Sequence, residues 1–123
     1  MKLSNIQKLL LGEMSIDNFT IAINEEVNIY KKSLLKKGAS ATIYLEEDLI
    51  KVKIDRKSIN TICNFFIEGK INNYQLNYMI EALLLSSHVY FANENIRSLL
   101  EDLTDPEYGL KLDIEYVKNI VYA

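Results

Sequence analysis

The sequence predicts a mostly α protein with a small β component, in which about six helices form a compact bundle and one β-hairpin packs against it. Two observations predict this class. Apolar residues recur every three or four positions through most of the chain, as in helices with one buried face. Residues 41–55 instead alternate between apolar and polar, which is typical of strands. With 123 residues, 49% of them apolar, the chain has the size and composition of a single globular domain, residues 1–123.

The amino-terminal part is predicted to hold two helices. The stretch SNIQKLLLGE is predicted to be a short helix that Ser4 caps and Gly12 ends, since glycine readily adopts the left-handed conformation found after helices. Ser15 is predicted to cap a longer helix, residues 16 to about 37, because its apolar residues are spaced by three or four. Lysines near the end of this helix favour its dipole, and Gly38 is expected to close it.

The alternating stretch ATIYLEEDLIKVKID is predicted to form the β-hairpin. Its apolar residues fall on alternate positions within each predicted strand: Ile43, Leu45, Ile50, Val52 and Ile54. The turn is placed at residues 46–48, whose carboxylates are expected to face solvent. Two strands alone are marginally stable in water, so the apolar face of the hairpin is expected to pack on helices.

The carboxyl-terminal half is predicted to hold four more helices. Each has a capping side chain at its start: Asp55 or Ser58, Asn72 with Gln75, Asn93, and Asp113. Gly69 is expected to end the first of them, and the segment DPEYG the third. The stretch HVYF is expected to be a buried connection, and Leu112 is expected to contact Val117 across the last cap.

Two helix–helix corners, residues 12–23 and 69–80, share one pattern: a glycine, a charged residue, an apolar anchor, a polar cap and then a helix. The anchors are Met14 and Ile71, and each glycine permits the positive φ angle that a tight corner needs. The pattern predicts a structural corner without chemistry of its own. Whether it records a true duplication is left open.

Most classes of enzyme and membrane protein are not indicated. No apolar run approaches the roughly 18–20 residues of a membrane span. The amino terminus does not have the pattern of a signal peptide, and one cysteine, Cys63, cannot form an internal disulfide, so the sequence predicts a cytoplasmic protein. The one histidine, His88, follows Ser86 and Ser87, but no third orienting group or metal-ligand spacing is evident. Cys63 is expected in the core.

We therefore expect no enzyme activity, cofactor, metal or small-molecule substrate. No glycine-rich phosphate loop is present, because the four glycines are isolated residues at predicted helix ends or turns. A hydrolase that uses His88 and a carboxylate ranks last among the functions considered. The sequence thus favours a binding protein over a catalyst.

Charge is unevenly distributed along the chain. Residues 1–57 hold ten basic and eight acidic side chains, whereas residues 58–123 hold four basic and nine acidic ones. Acidic and aromatic side chains in the second half predict a patch that binds a basic protein partner. The patch comprises Glu94, Glu101, Asp102, Asp105, Glu107 and Tyr108. The alternative is a small nucleic-acid-binding regulator that uses the basic cluster Lys31, Lys32, Lys36 and Lys37.

The carboxyl-terminal two-thirds also carries a family resemblance. DRKSINTICNFFIEGKINNYQLNYMIEALL gives a helix that ends near Gly69 and then an amphipathic helix. VYFANENIRSLLEDLTDPEYGLKLDIEYVKNIV gives an aromatic-acidic connection at residues 89–94 and a helix pair around LTDPEYG. Together residues 55–121 resemble small bacterial immunity proteins of polymorphic or contact-dependent growth-inhibition toxin systems. The resemblance implies a stoichiometric inhibitor that binds a cognate toxin domain, often a nuclease with a basic active site.

Overall fold

The computed structural model describes residues 1–35, 42–49, 51–104 and 113–122, and in this part of the chain it shows seven helices and two short strands. The helices are α1 (Leu3–Leu10), α2 (Ile16–Ala22), α3 (Asn24–Leu35), α4 (Arg56–Ile67), α5 (Asn73–Leu85), α6 (Glu94–Leu103) and α7 (Ile114–Val121). The strands are β1 (Val52–Ile54) and β2 (Val89–Phe91). The predicted class, mostly α with a small β component, is confirmed.

The predicted β-hairpin is wrong. β1 pairs in parallel with β2, in the register Val52↔Val89 and Ile54↔Phe91, and α4 and α5 connect the two strands. The stretch HVYF, expected to be a plain connection, therefore supplies the second strand. Alternation in the sequence signals an extended segment but not its partner, which here lies beyond two helices.

Residues 42–49 are extended, but they run along the amino-terminal segment instead of pairing with β1. The Glu46 N–H donates to the Met1 carbonyl (2.8 Å), and the Leu3 N–H donates to the Glu46 carbonyl (3.0 Å). The predicted turn at residues 46–48 is therefore an anchored part of this segment. Its alternating apolar side chains, which include Ile43 and Leu45, are partly buried against the core.

The predicted single helix after Ser15 is in fact two helices, α2 and α3, that meet at Ile23. The backbone of Ile23 leaves helical geometry there (φ −105°, ψ 6°), and its side chain is buried. The apolar spacing continues through the break, since Phe19, Ile23 and Val27 are all buried. A continuous buried face explains why the spacing gave no sign of the break.

Most predicted caps are confirmed. The side chains that accept hydrogen bonds from backbone N–H groups at helix starts are Ser15, Asp55, Asn72, Asn93 and Asp113. Gly12 and Gly69 have the positive φ angles, 78° and 75°, that the two helix–helix corners require. Ser4 is not a cap, because α1 already begins at Leu3. Gly38 and Leu112 lie outside the described residues.

The core is built around α4, which packs against α1, α5, α6, α7 and β1. Its inner face carries Ile59, Ile62, Cys63 and Phe66. Cys63 is fully buried, as expected of a core residue, and this burial raises the pKa of its thiol to about 12. None of the helices in the described residues is long and apolar enough to cross a membrane.

Candidate protein-binding surface

Helix α6 separates its side chains into an inner and an outer face. Asn93 caps the helix by accepting a hydrogen bond from the Ile96 N–H (3.1 Å). Ile96, Leu100 and Leu103 are buried and anchor the inner face. The exposed side chains define the α6 outer face: Glu94, Asn95, Arg97, Ser98, Glu101 and Asp102. Half of the predicted acidic patch thus lies together on one helix, while Asp105, Glu107 and Tyr108 fall outside the described residues.

The charges of the α6 outer face are only partly neutralised. The Arg97 Nε–H donates to Glu101 Oε1 at 3.0 Å, one helical turn away. The Arg97 guanidinium also lies 5.7 Å from the centre of the Phe91 ring. Within the described part of the chain, the carboxylates of Glu94 and Asp102 form no ion pair. Two negative charges on this face therefore have no counter-charge among the residues that the structure describes.

The position of Asp102 is unfavourable for the helix itself. Glu101 and Asp102 occupy the last turn of α6, which contains no basic residue. Carbonyl groups at a helix carboxyl end favour positive charge, and a carboxylate there costs a few tenths of a kcal/mol or more. Glu94, in the first turn, has the favourable position. The helix dipole therefore favours the carboxylate of Glu94 and disfavours that of Asp102.

A depression of about 430 Å³ adjoins the amino end of the α6 outer face. It lies between the end of α5, β2 and the start of α6, and its lining includes Leu84, Phe91 and Glu94. Tyr90, 40% exposed, borders it, with Lys51 Nζ 4.9 Å from the centre of the ring. The acidic face thus continues into a concave surface that is partly aromatic, a combination frequent in protein interfaces.

The structure brings His88 close to a carboxylate, that of Glu47, but it does not hydrogen-bond either serine hydroxyl to the His88 ring. The hydroxyls of Ser86 and Ser87 both donate to Glu47 Oε2, at 2.9 and 3.3 Å. The two nitrogens of the His88 ring face different oxygens. Nδ1 lies 2.8 Å from the Leu49 carbonyl, and Nε2 lies 3.5 Å from the same Glu47 Oε2. A serine nucleophile needs its hydroxyl against the base, and here both hydroxyls are directed to the carboxylate.

Glu47 and Asp48 hold residues 42–49 to the rest of the molecule. Glu47 accepts hydrogen bonds from the hydroxyls of Ser86 and Ser87, which follow α5. The Ser86 hydrogen bond is the main reason that the pKa of the Glu47 carboxyl is lowered. Asp48 accepts hydrogen bonds from the Ser4 hydroxyl and the Ser4 N–H (2.9 Å), which lower the pKa of the Asp48 carboxyl. The sequence predicted carboxylates that only face solvent, and it missed these two structural roles.

A buried polar cluster anchors the same segment from its other side. Tyr78, fully buried, donates its hydroxyl to Glu26 Oε2 (2.6 Å) and accepts a hydrogen bond from the Tyr44 N–H (2.9 Å). The Met1 amino group also donates to Glu26 Oε2 (2.5 Å) and to the Tyr44 carbonyl. Burial is the main cause of a raised pKa for the Tyr78 hydroxyl. Every member has a partner inside the cluster, which indicates a structural role.

The basic cluster of the nucleic-acid alternative is described only in part. Lys31 and Lys32 lie in α3, and Lys31 Nζ is 5.0 Å from the centre of the Tyr74 ring. Lys36 and Lys37 lie outside the described residues. The nucleic-acid alternative therefore stays a prediction, because the structure describes only two of the four lysines.

The described residues contain no group of three or more His, Cys, Asp or Glu side chains placed to hold a metal ion. Comparison with protein-family models, with curated proteins and with solved structures gave no match to this chain.

Proposed function

We propose that this protein is an immunity protein that binds and neutralises a cognate bacterial toxin domain in the cytoplasm, and that the α6 outer face forms part of the binding surface. The observation that carries the proposal is the position of Asp102. Its carboxylate is exposed, forms no ion pair within the described residues, and lies at the helix end where folding disfavours negative charge. A charge that does not serve folding is a candidate for binding.

The chemistry of this face fits a basic partner. Unpaired carboxylates at Glu94 and Asp102 would accelerate the encounter with a positively charged surface, such as the active site of a nuclease. Tyr90 and Phe91, beside them, would supply aromatic contacts that slow dissociation. The buried inner face of α6 and its Asn93 cap hold the outer face in place before binding, which reduces the entropy lost on association.

The resemblance of residues 55–121 to bacterial immunity proteins adds the biological role. These residues include α4, α5, β2, α6 and α7, and therefore the whole α6 outer face with its depression. An immunity protein acts by occupying its toxin and needs no catalytic group of its own. The hydrogen bonds that use Ser86, Ser87 and His88 internally are compatible with this role.

Co-expression tests the proposal. The protein, carrying an affinity tag, is produced together with the product of the gene immediately upstream of its own, and growth and co-purification are measured. We expect the upstream product alone to stop growth, and the pair to grow and to purify as a complex of fixed stoichiometry. An upstream product that is harmless to cells, or that neither binds the protein nor is neutralised by it, contradicts the proposal.

A further inference from the structure

The two-stranded sheet has outer edges that the described residues leave unpaired. Val52 N–H donates to the His88 carbonyl and Ala92 N–H donates to the Ile54 carbonyl, both at 2.9 Å. In this parallel register the backbone of Tyr90 supplies the bonds between them, so its N–H and C=O face β1. The N–H and C=O groups of Val89 and Phe91 consequently point away from β1. We call these four groups the β2 outer edge.

The β2 outer edge is incomplete in the described structure. Within the described ranges of the chain, neither Val89 nor Phe91 has a backbone hydrogen bond on this side. Free N–H and C=O groups along the edge of a strand are a template for pairing with another chain. The depression of about 430 Å³ beside α6 is lined by all three β2 residues and gives access to this edge.

The outer edge of β1, on the other side of the sheet, is less suited to pairing with an added strand. On β1 the residue that faces outward is Lys53, and the next outward N–H, that of Asp55, already donates to Ser58 Oγ (3.3 Å). Within the bounds of the two strands, an added strand would find two outward residues on β2, Val89 and Phe91, but only Lys53 on β1. Backbone pairing therefore favours the β2 side.

The charges at the depression define the occupant further. Arg97 lines it, but its side chain is bound to Glu101 and lies over Phe91. Glu94 also lines it and has no ion partner within the described residues. Of the two charged residues that line the depression, Arg97 is paired and Glu94 is not, so the unpaired charge of the lining is negative. Lys51, over the Tyr90 ring, lies outside this lining. An extended segment that carries a lysine or arginine complements both the backbone groups and this carboxylate.

We propose that the protein partner adds an extended segment to the β2 outer edge, as a third strand, and directs a basic side chain of that segment to Glu94. This inference rests on the proposed function, since the partner is the toxin domain, and it states how that domain binds. The backbone hydrogen bonds would provide affinity for any strand, and Glu94 would select a basic one. Asp102, farther along the α6 outer face, would attract the toxin domain without touching the added strand.

Amide hydrogen exchange tests this mode, and β2 contains its own control. In the free protein we expect the Tyr90 amide to exchange at least about tenfold more slowly than the amides of Val89 and Phe91, because Tyr90 alone is bonded within the sheet. In the complex with the upstream gene product, the Val89 and Phe91 amides should slow until this ratio disappears. Glu94→Gln should lower the affinity of the complex about tenfold. Asp102→Asn is the matched control, because it removes an equal charge from the same face, and it should lower the affinity by less.

The outcomes separate this inference from the proposed function. A complex that forms while the exchange ratio stays unchanged overturns the strand-addition mode and leaves the proposed function standing. Failure of the upstream product to bind or be neutralised overturns the proposed function, and the inference falls with it. Protection of Val89 and Phe91 in the free protein, accompanied by a dimeric mass, assigns the edge to a second copy of this chain and also overturns the inference.

Discussion

Two acidic regions of this molecule look alike in the sequence and differ in the structure. Glu47 and Asp48 receive hydrogen bonds from Ser86, Ser87 and Ser4, and through them residues 42–49 are held to the body of the protein. Glu94 and Asp102 lie on the α6 outer face without an ion partner in the described part of the chain. The first pair serves folding, whereas we propose that the second pair binds a partner.

The difference lies in what faces each carboxylate. The donors to Glu47 and Asp48 lie 39 to 44 residues away in the chain and were brought close by folding. Among the residues that the structure describes, no comparable donor reaches the Asp102 carboxylate. An acidic run in a sequence therefore does not reveal its role until the tertiary positions of nearby donors are known, and each role predicts a different response to substitution.

The largest effect on stability is expected for Tyr78→Phe, which removes the hydroxyl that anchors residues 42–49 from inside the core. The partly buried Tyr44 N–H would lose its acceptor and Glu26 would lose a donor. The free energy of unfolding should fall by about 1–3 kcal/mol, measured by urea denaturation. Tyr122→Phe, at a side chain that is 70% exposed, is the control and should leave stability unchanged. Equal stability of the two variants would contradict the anchoring role.

A matched pair of substitutions contrasts the two acidic regions directly. Asp48→Asn weakens the hydrogen bonds from Ser4, so Tm should fall by roughly 2–5 °C. Asp102→Asn removes a charge that opposes the helix dipole, so Tm should stay the same or rise by about 1–2 °C. Thermal unfolding followed by circular dichroism measures both. Similar losses for the two variants would mean that Asp102 also has a structural role.

The effect of Asp48→Asn is also expected to depend on pH. Ser4 lowers the folded-state pKa of the Asp48 carboxyl. The stability that this carboxylate contributes is therefore fully present above its unfolded pKa, about 3.9, and is lost as the pH falls through the lower folded value. The Tm gap between wild type and Asp48→Asn should narrow below about pH 4. An Asp48→Asn gap that does not begin to narrow as the pH falls below about 4 would contradict the assignment.

Burial raises the pKa of the Glu81 carboxyl, so Glu81 changes stability with pH in the opposite direction to Asp48. It favours the protonated form in the folded state, so its contribution to stability decreases as pH rises. Because Glu81 is present in wild type and in both variants, it largely cancels from the Tm gaps. The comparison between variants is therefore more informative than the pH profile of the wild type alone.

Glu101→Gln should have the smallest effect among these substitutions. It removes an exposed ion pair with Arg97, which spans one helical turn, and it also removes a carboxylate from the unfavourable helix end. The two contributions oppose each other, so Tm should change by less than about 2 °C. A larger loss, measured by the same thermal scan, would show that Arg97 and Glu101 hold β2 and α6 together.

Sequence reasoning worked where the determinants are local. Asp55, Asn72, Asn93 and Asp113 cap helices because each cap needs an N–H group only three residues away. The positive φ angle of Gly69 likewise follows from its place after a helix. Such signals predicted most helix starts and the mostly α class.

It failed where distant parts of the chain determine the result. The partner of β1 is β2, which lies beyond two helices, so the alternating stretch before β1 was wrongly given that role. The roles of Glu47 and Asp48 depend on serines from other elements. For the candidate site, the sequence identified Glu94, Glu101 and Asp102, but not the β2 outer edge beside them, because that edge arises only when the strands pair.

The most direct test of the α6 outer face as a toxin-binding surface is the affinity of charge-reversal variants for the upstream gene product. The double variant Glu94→Arg/Asp102→Arg should bind at least about 100-fold more weakly at low salt, mainly through slower association, while it keeps a wild-type circular dichroism spectrum. Glu13→Arg, at an exposed acidic residue in the first helix–helix corner, is the control and should bind like the wild type. Wild-type affinity of the double variant, or an equal loss for Glu13→Arg, would contradict the account.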